Sequence, residues 1–264
     1  MKQAERKKDY NRSLERALQI LDAFTYDRQV LTSVQLSEIL GLPRATVLRL
    51  CSTLVNYGYL KQEGEARRYS LGMRVFEQGT VVFYSLSIRK TASPHLVQLQ
   101  EKLAKTVFLA VLDNDELVYI DKREDPRSII GFTSKIGARR PPHWGMCGPV
   151  LMAYLPDEEV DRLLQKTPLK AYTKRSLTKN EDFKAWLRRI KEDGTVIDEE
   201  TSFEGITGVA APIWDFNDRV VASVGAASMS SSLSMEELRY MLKEVLKSAH
   251  AISADLEHKE HIEE

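Results

Sequence analysis

The sequence predicts an α+β protein: an N-terminal winged helix-turn-helix, a linker helix, and a C-terminal sheet domain with helices around it. Three observations carry that expectation. Residues 41–60, GLPRATVLRLCSTLVNYGYL, read as a helix that opens at Gly41-Leu42-Pro43 and stops at Gly58, directly after a shorter helix. The following YLKQEGEARRYSLG reads as two alternating runs joined by EGEA, a basic β-hairpin. Beyond residue 91, six short strand patterns are interleaved with helical ones, and the resulting sheet is expected to be antiparallel.

The first helix is read from Leu14, Ala17, Leu18, Leu21 and Phe24, spaced i, i+3, i+4, i+7, with Ser13 as its N-cap. Thr32 and Gln35 form a capping-box pattern for a short second helix that bears Leu36, Ile39 and Leu40 and ends at Gly41. In the third helix, Pro43, Val47, Leu50, Leu54 and Tyr57 share one arc, with Cys51 at its edge. The opposite arc carries Ala45, Arg49, Ser52 and Asn56, flanked by Arg44 and Leu48 on one side and by Thr46 and Thr53 on the other. A solvated face is the simpler explanation for one helix alone. No acid interrupts this face, however, and Arg beside Ala and Thr suits a major groove, where Arg reads guanine and a methyl meets thymine C5. Short helix, tight turn and second helix in that order, closed by a hairpin with Arg67 and Arg68 on its return strand, make a winged helix-turn-helix.

Charge supports the division. The net charge of zero conceals 15 Lys and Arg against 9 Asp and Glu in residues 1–90, and 23 against 29 in the remainder. A basic front and an acidic back fit one part on a polyanion and another that is not. Two cysteines, Cys51 and Cys147, cannot staple a fold and suggest a reducing compartment, so the expected location is cytoplasmic. No apolar run approaches 18 residues, and MKQAERKKDYNR has no apolar run behind its charges, so neither a membrane span nor a secretory signal is expected.

Residues 73–90, MRVFEQGTVVFYSLSIRK, read as one linker helix, apolar nearly all the way round from Val81 to Ile88 and therefore covered on more than one side, by another subunit among others. The domains are then 1–72, 73–90 and 91–258. Ser93-Pro94 opens the next helix, with Leu96, Leu99 and Leu103. TVFLAVL and LVYIDK flank the turn residues DNDE, and SIIGFT is a third strand candidate. Helical patterns follow at 147–155, 157–165 and 180–192, the last behind a Thr178/Glu181 box, and TVID, GVAAPIW and RVVASVGAAS supply three more strands. Ser234 and Glu237 cap a long final helix.

Catalytic signatures are missing: no phosphate-binding glycine loop, no dinucleotide fingerprint, no HExxH and no paired CxxC. His143 and Cys147 stand four apart, but two ligands do not hold zinc, and a Cys-His nucleophile is the weaker explanation for them. No metal, no cofactor and no enzymatic activity are expected. GARRPPHWGMCGPVLMAYL, residues 137–155, is more informative: a rigid Gly/Pro loop delivers the chain to a helix start, with Arg140, His143 and Trp144 beside it. Free amides and the helix dipole at such a start attract a carboxylate or phosphate.

These segments resemble the IclR-type transcriptional regulators (the isocitrate lyase regulator family) over nearly the whole chain. NRSLERALQILDAF, GLPRATVLRLCSTLVNYGYL and the RRYSLG wing resemble the family's DNA-binding domain. GARRPPHWGMCGPVLMAYL and EDGTVIDEETSFEGITGVAAPI resemble its effector-binding domain, which the resemblance implies to be GAF-like. It further implies a homodimer or homotetramer on double-stranded operator DNA, with a small organic acid as effector. Carried over position by position, the pocket's apolar wall falls at Ile129 and Arg140, its helix-start amides at Met146 and Cys147, and its acid at Asp198. Gly208 stands where the family has a pocket Cys, and Gly225 and Ala227 where it has two serines; a Glu expected near Thr201 is absent. Three lost polar groups imply a larger, drier pocket, with Trp144 as a surface for a flat, aromatic ligand. Base contacts are expected from Arg44, Ala45, Leu48 and Arg49, and phosphate or flanking contacts from Thr46, Arg67 and Arg68. The alternative is a DNA-binding protein whose C-terminal domain only oligomerises.

Overall fold

A computed structural model of the chain describes residues 11–64, 67–124 and 135–257, the side chains of residues 83–85 excepted. The basic leader before Asn11 and the SIIGFT strand candidate lie outside the described residues. Packing divides the chain into two compact units, 1–85 and 86–264.

In the first unit, α1 (Arg12–Asp22), α2 (Ser33–Leu40) and α3 (Arg44–Asn56) precede the hairpin β2 (Leu60–Glu63) and β3 (Arg68–Leu71). The N-cap of α1 is Asn11 rather than Ser13: its side-chain oxygen accepts the amides of Ser13 and Leu14, two of the helix's unpaired donors. The Thr32/Gln35 capping box closes in both directions. A short strand the sequence reading lacked, β1 (Leu31–Thr32), pairs with β3, so the wing is a three-stranded sheet in the order β1-β3-β2. Gly58, at φ +76°, ends α3 in the left-handed region. There Gly58 N–H donates to Val55 and Tyr59 N–H to Leu54, the paired bonds that satisfy the last carbonyls of a helix.

The core holds Ile20, Phe24, Leu36, Val47, Cys51, Leu60 and Tyr69. The stripe read on α1 is only partly a core stripe, since Leu14 is 60% and Leu18 52% exposed while Ile20 is buried. Tyr57 is likewise outside the core. The helix expected over 73–90 is two. α4 (Met73–Ser85) belongs to the first unit, Leu86 is extended, and α5 (Ser87–Leu103) opens the second. Packing explains the break, because Leu86 and Ile88 pack against the second unit's core while Val81 and Val82 stay exposed. Pro94 therefore sits inside α5 instead of opening it. Burial of Ala92, Leu96, Leu99 and Leu103 on one side holds the helix across the missing N–H.

Among the described residues, the second unit forms a six-stranded antiparallel sheet in the order β6-β5-β4-β9-β8-β7. Its strands are β4 (Thr106–Asp113), β5 (Glu116–Arg123), β6 (Arg139–Arg140), β7 (Val196–Glu199), β8 (Ile206–Trp214) and β9 (Val220–Met229). Asn114 and Asp115, both at positive φ, make the two-residue turn between β4 and β5. Alternation along the strands serves two cores. Val107, Leu109, Val209, Ala211, Val224 and Ala226 meet α5 and α9 (Met235–Asp255). Phe108, Ala110, Ala210 and Ala227 meet α6 (Cys147–Ala153), α7 (Asp157–Lys166) and α8 (Asn180–Asp193). The capping box read at Thr178 does not form; Lys179 is the N-cap of α8, without a side-chain bond. The Ser234/Glu237 box on α9 does.

Candidate nucleic-acid interface and effector cavity

On α3, Val47 and Cys51 are buried, and the face away from them presents Arg44, Ala45 and Arg49 in the open, with Thr46 and Leu48 half-buried. One side of the helix anchors the unit and the other is available to a groove. Arg44 is partly committed, since its Nε donates to the buried hydroxyl of Ser33 at 3.4 Å. That contact ties the start of α3 to α2 and leaves the guanidinium's other donors for a partner. Arg67 and Arg68 are exposed at the wing, Arg68 opposite Glu63 in the hairpin register. Arg67 adopts φ +49°, an unfavourable region for a side chain with a Cβ.

In the second unit, a half-open cavity of about 50 Å³ gathers five of the pocket residues read from the sequence: Trp144, Met146, Asp198, Gly208 and Ala227. Phe108, Tyr119, Gly145, Ser202, Phe203 and Ile206 complete its lining. Phe108 and Tyr119 were missed, although strand alternation puts them on the same sheet face as Ala227; their rings stand 5.5 Å apart. Ser202 ties the loop to the helix start by accepting the Gly145 amide at 2.8 Å. No side chain caps the start of α6 at Met146.

Asp198 is 6% exposed, and its Oδ1 accepts the Thr201 amide at 2.9 Å. Burial pushes its pKa above the ordinary carboxylate range, and the Thr201 hydrogen bonds only partly oppose this. The carboxyl is thus a buried polar group facing a cavity, set by β7 at one end and a turn at the other.

Other candidates fall outside the cavity. Arg140 holds its guanidinium 5.4 Å from the centre of the Trp144 ring, and so makes a cation–π contact instead of lining the cavity. Trp144 itself packs edge-on against Tyr172 and Phe203, so it is part of an aromatic cluster as well as a wall. Cys147 is fully buried beside Ser223, and desolvation pushes its thiol up to about 12. Such a thiol is no nucleophile. Gly225 lies two residues before Ala227 on β9, against the Met146 methyl. Ile129 lies outside the described residues.

The expectation of an enlarged pocket is corrected. A Cβ built on Gly208 would overlap the Met146 sulfur, and one on Gly225 would stand 3.1 Å from its methyl, so Met146 fills the space the missing side chains leave. His143, expected beside the start of α6, is 7% exposed, and neither ring nitrogen has a partner among the described residues. Burial and the nearby Lys170 charge pull its pKa down to about 4. It edges a separate space of about 20 Å³ with Lys170, Tyr172 and Phe183, and shares Ser202 with the larger cavity. No group of three potential metal ligands occurs among the described residues, and no described helix is long and apolar enough to cross a membrane.

A winged helix-turn-helix with an acid-free recognition face, joined to a separate sheet domain, defines a DNA-binding transcriptional regulator rather than an enzyme. The chain belongs to the IclR family. Residues 59–254 match the bacterial transcriptional regulator IclR C-terminal domain and residues 13–64 the IclR helix-turn-helix domain. The HTH-type transcriptional regulator XynR of Escherichia coli K12 is 34% identical across 92% of this chain and 96% of its own length. A crystal structure of a transcriptional regulator from Rhodococcus sp. RHA1 is 30% identical, covers 94% of this chain and 99% of its own, and superposes with a TM-score of 0.82. An IclR homologue from Microbacterium hydrocarbonoxydans, solved with 4-hydroxybenzoate, shares the fold at TM-score 0.82 and 24% identity, over 93% of this chain and 99% of its own.

Proposed function

We propose that the chain is a cytoplasmic, effector-responsive regulator that grips operator DNA as a homodimer or homotetramer. Arg44, Ala45, Leu48 and Arg49 meet base edges; Thr46, Arg67 and Arg68 hold phosphates or flank the groove. Assembly runs through α1 and α4. Leu14 and Leu18 share one face of α1, and Phe76 and Val81 stand 69% and 71% exposed on α4. A helix of 13 residues anchored by hydrogen bonds at Gly58 and Tyr59 near its start is marginal alone in water, and a second copy would cover it. Two copies place their α3 helices on half-sites about 34 Å apart or a multiple of that spacing.

The effector is a small carboxylic acid in the Asp198 cavity. The observation that carries this is a buried carboxyl facing a half-open cavity beside a helix start that no side chain caps. The acid's carboxylate sits toward the amides of Met146 and Cys147, and Asp198 accepts a ligand hydroxyl or orders the pocket. The 4-hydroxybenzoate complex belongs to a neighbour alike in fold alone, and it serves here as one probe of ligand size.

Operators selected from random duplexes by the full-length protein provide the test, read by fluorescence anisotropy with and without pyruvate. The expected shift in operator affinity is about 1–3 kcal/mol, with an equal reciprocal shift in pyruvate affinity. Asp198→Asn should lose the response and keep DNA binding. If neither pyruvate nor 4-hydroxybenzoate alters DNA binding or binds in calorimetry, the sheet unit is an oligomerisation module and the effector reading fails.

A further inference from the structure

We propose that Met146 is the size gate of the cavity, the residue that restricts the effector to a few heavy atoms; this rests on the effector reading above. The register of β8 and β9 pairs Gly208 with Ala227 and Ala210 with Gly225. Neighbouring residues on the same strands, Val209, Ala211, Val224 and Ala226, pack toward α5 and α9. Four small residues therefore form a shallow trough on the α6 side of the sheet. The Met146 side chain lies in it: Sδ occupies the place of a Gly208 Cβ, and Cε is 3.1 Å from that of Gly225.

What remains is the cavity of about 50 Å³ beside the thioether, bounded by Phe108, Tyr119 and Asp198. A ring placed on the bare strands needs the space that Met146 holds. The two glycines are not equivalent. A side chain at Gly225 would also come within 2.8 Å of the Val209 carbonyl, so its bareness serves the close approach of β8 and β9. Of the three atoms nearest a Gly208 Cβ, two belong to the Met146 side chain, and the third, the Ala226 carbonyl oxygen, stands at 3.4 Å. Gly208 and Met146 thus divide one volume between them. A thioether on three rotatable bonds is well suited to fill such a gap, and truncating it leaves the trough open.

The division of volume is tested without a ligand. Gly208→Ala should lower the Tm of the full chain by about 2–4 °C, a shift typical of 1 kcal/mol in a chain of this size. In a Met146→Ala background the same substitution should be close to neutral. Calorimetry with acetate, pyruvate and 4-hydroxybenzoate then reads the gate. The unmodified protein should prefer the smaller acids. Met146→Ala should raise the affinity for 4-hydroxybenzoate relative to that for pyruvate at least tenfold. Equal destabilisation by Gly208→Ala in both backgrounds would overturn the gate whatever binds. An unchanged size profile in Met146→Ala would overturn it while the effector reading stands; silence from every acid on both proteins would end both.

Discussion

The two units leave opposite things undone. The DNA-binding unit buries its polar groups sparingly, with Ser33 the one buried polar side chain among its described residues, yet it leaves Leu14, Leu18, Met73, Phe76, Val81 and Val82 in the open. The sheet unit covers both faces of its sheet with helices, leaving Phe216 and Met235 exposed beyond them, and keeps Asp121, Lys122, His143 and Asp198 inside. Exposed apolar surface is stabilised by covering it, whereas a buried polar group is stabilised by supplying a partner. Under the proposed function, the first unit meets another macromolecular surface and the second something small enough to enter. Asp121 shows the contrast within the sheet unit, because Arg89 and Arg123 already pair with it, while Asp198 faces a cavity.

The largest effect should come from the exposed face. Phe76→Asp places a charge on α4 where no core residue of its own unit is disturbed. Sedimentation should show a smaller assembly. Operator affinity should fall by roughly 10²–10⁴-fold as the second half-site ceases to bind intramolecularly. An unchanged mass with lost binding would move α4 from the subunit contact to the DNA.

Within the DNA-binding unit, the helix and the wing should separate next. Arg49→Ala should cost about 1–3 kcal/mol on the selected operator, as for a bidentate guanine contact, and little on random duplex. Arg68→Ala should weaken both duplexes alike and reduce the salt slope by about one. Equal losses for Arg49→Ala on operator and random DNA would remove it from base readout.

The difference between the units also governs how much the sequence disclosed. Local chemistry was legible: the Thr32/Gln35 and Ser234/Glu237 boxes, the Asn114-Asp115 turn and the α3 stop at Gly58 each depend on residues within a few positions. Where tertiary packing overrides local preference, local signals mislead. Ser93-Pro94 looks like a helix start, but four buried residues on one side carry α5 through it. The α1 stripe has the spacing of a core stripe, and spacing does not distinguish a face covered by the same chain from one left for a partner. In the second unit, Asp198, Gly208 and Ala227, named by resemblance, line one cavity, but its volume differs from the expectation. Whether a neighbour fills the space above two glycines is a matter of three dimensions, and no run of residues near Gly208 contains Met146.

The smallest effect concerns the second buried polar group. His143 has no partner for either nitrogen among the described residues, and it lies edge-on to Phe183, 6.2 Å between ring centres. His143→Leu removes an unsatisfied group at similar volume and should stabilise the sheet unit by about 1 kcal/mol at pH 7, the low end of such a penalty. Its pH dependence has a definite sign. The folded pKa of about 4 lies below the unfolded value near 6.5, so between them the unfolded chain binds more protons. This group therefore adds little cost above pH 7, and as the pH falls from 7 toward 4 it removes stability at a rate that approaches about 1.4 kcal/mol per pH unit. Asp198 acts in the opposite sense, since its raised pKa makes protonation favour the folded state as the pH falls. Comparing His143→Leu with the unmodified protein cancels that contribution. Urea unfolding at pH 7.0, 6.0 and 5.0 should show the variant's advantage widening at each step. A constant advantage would mean that His143 is charged or partnered in the folded protein, and the contrast between a polar interior and an apolar exterior would then rest on Asp198 alone.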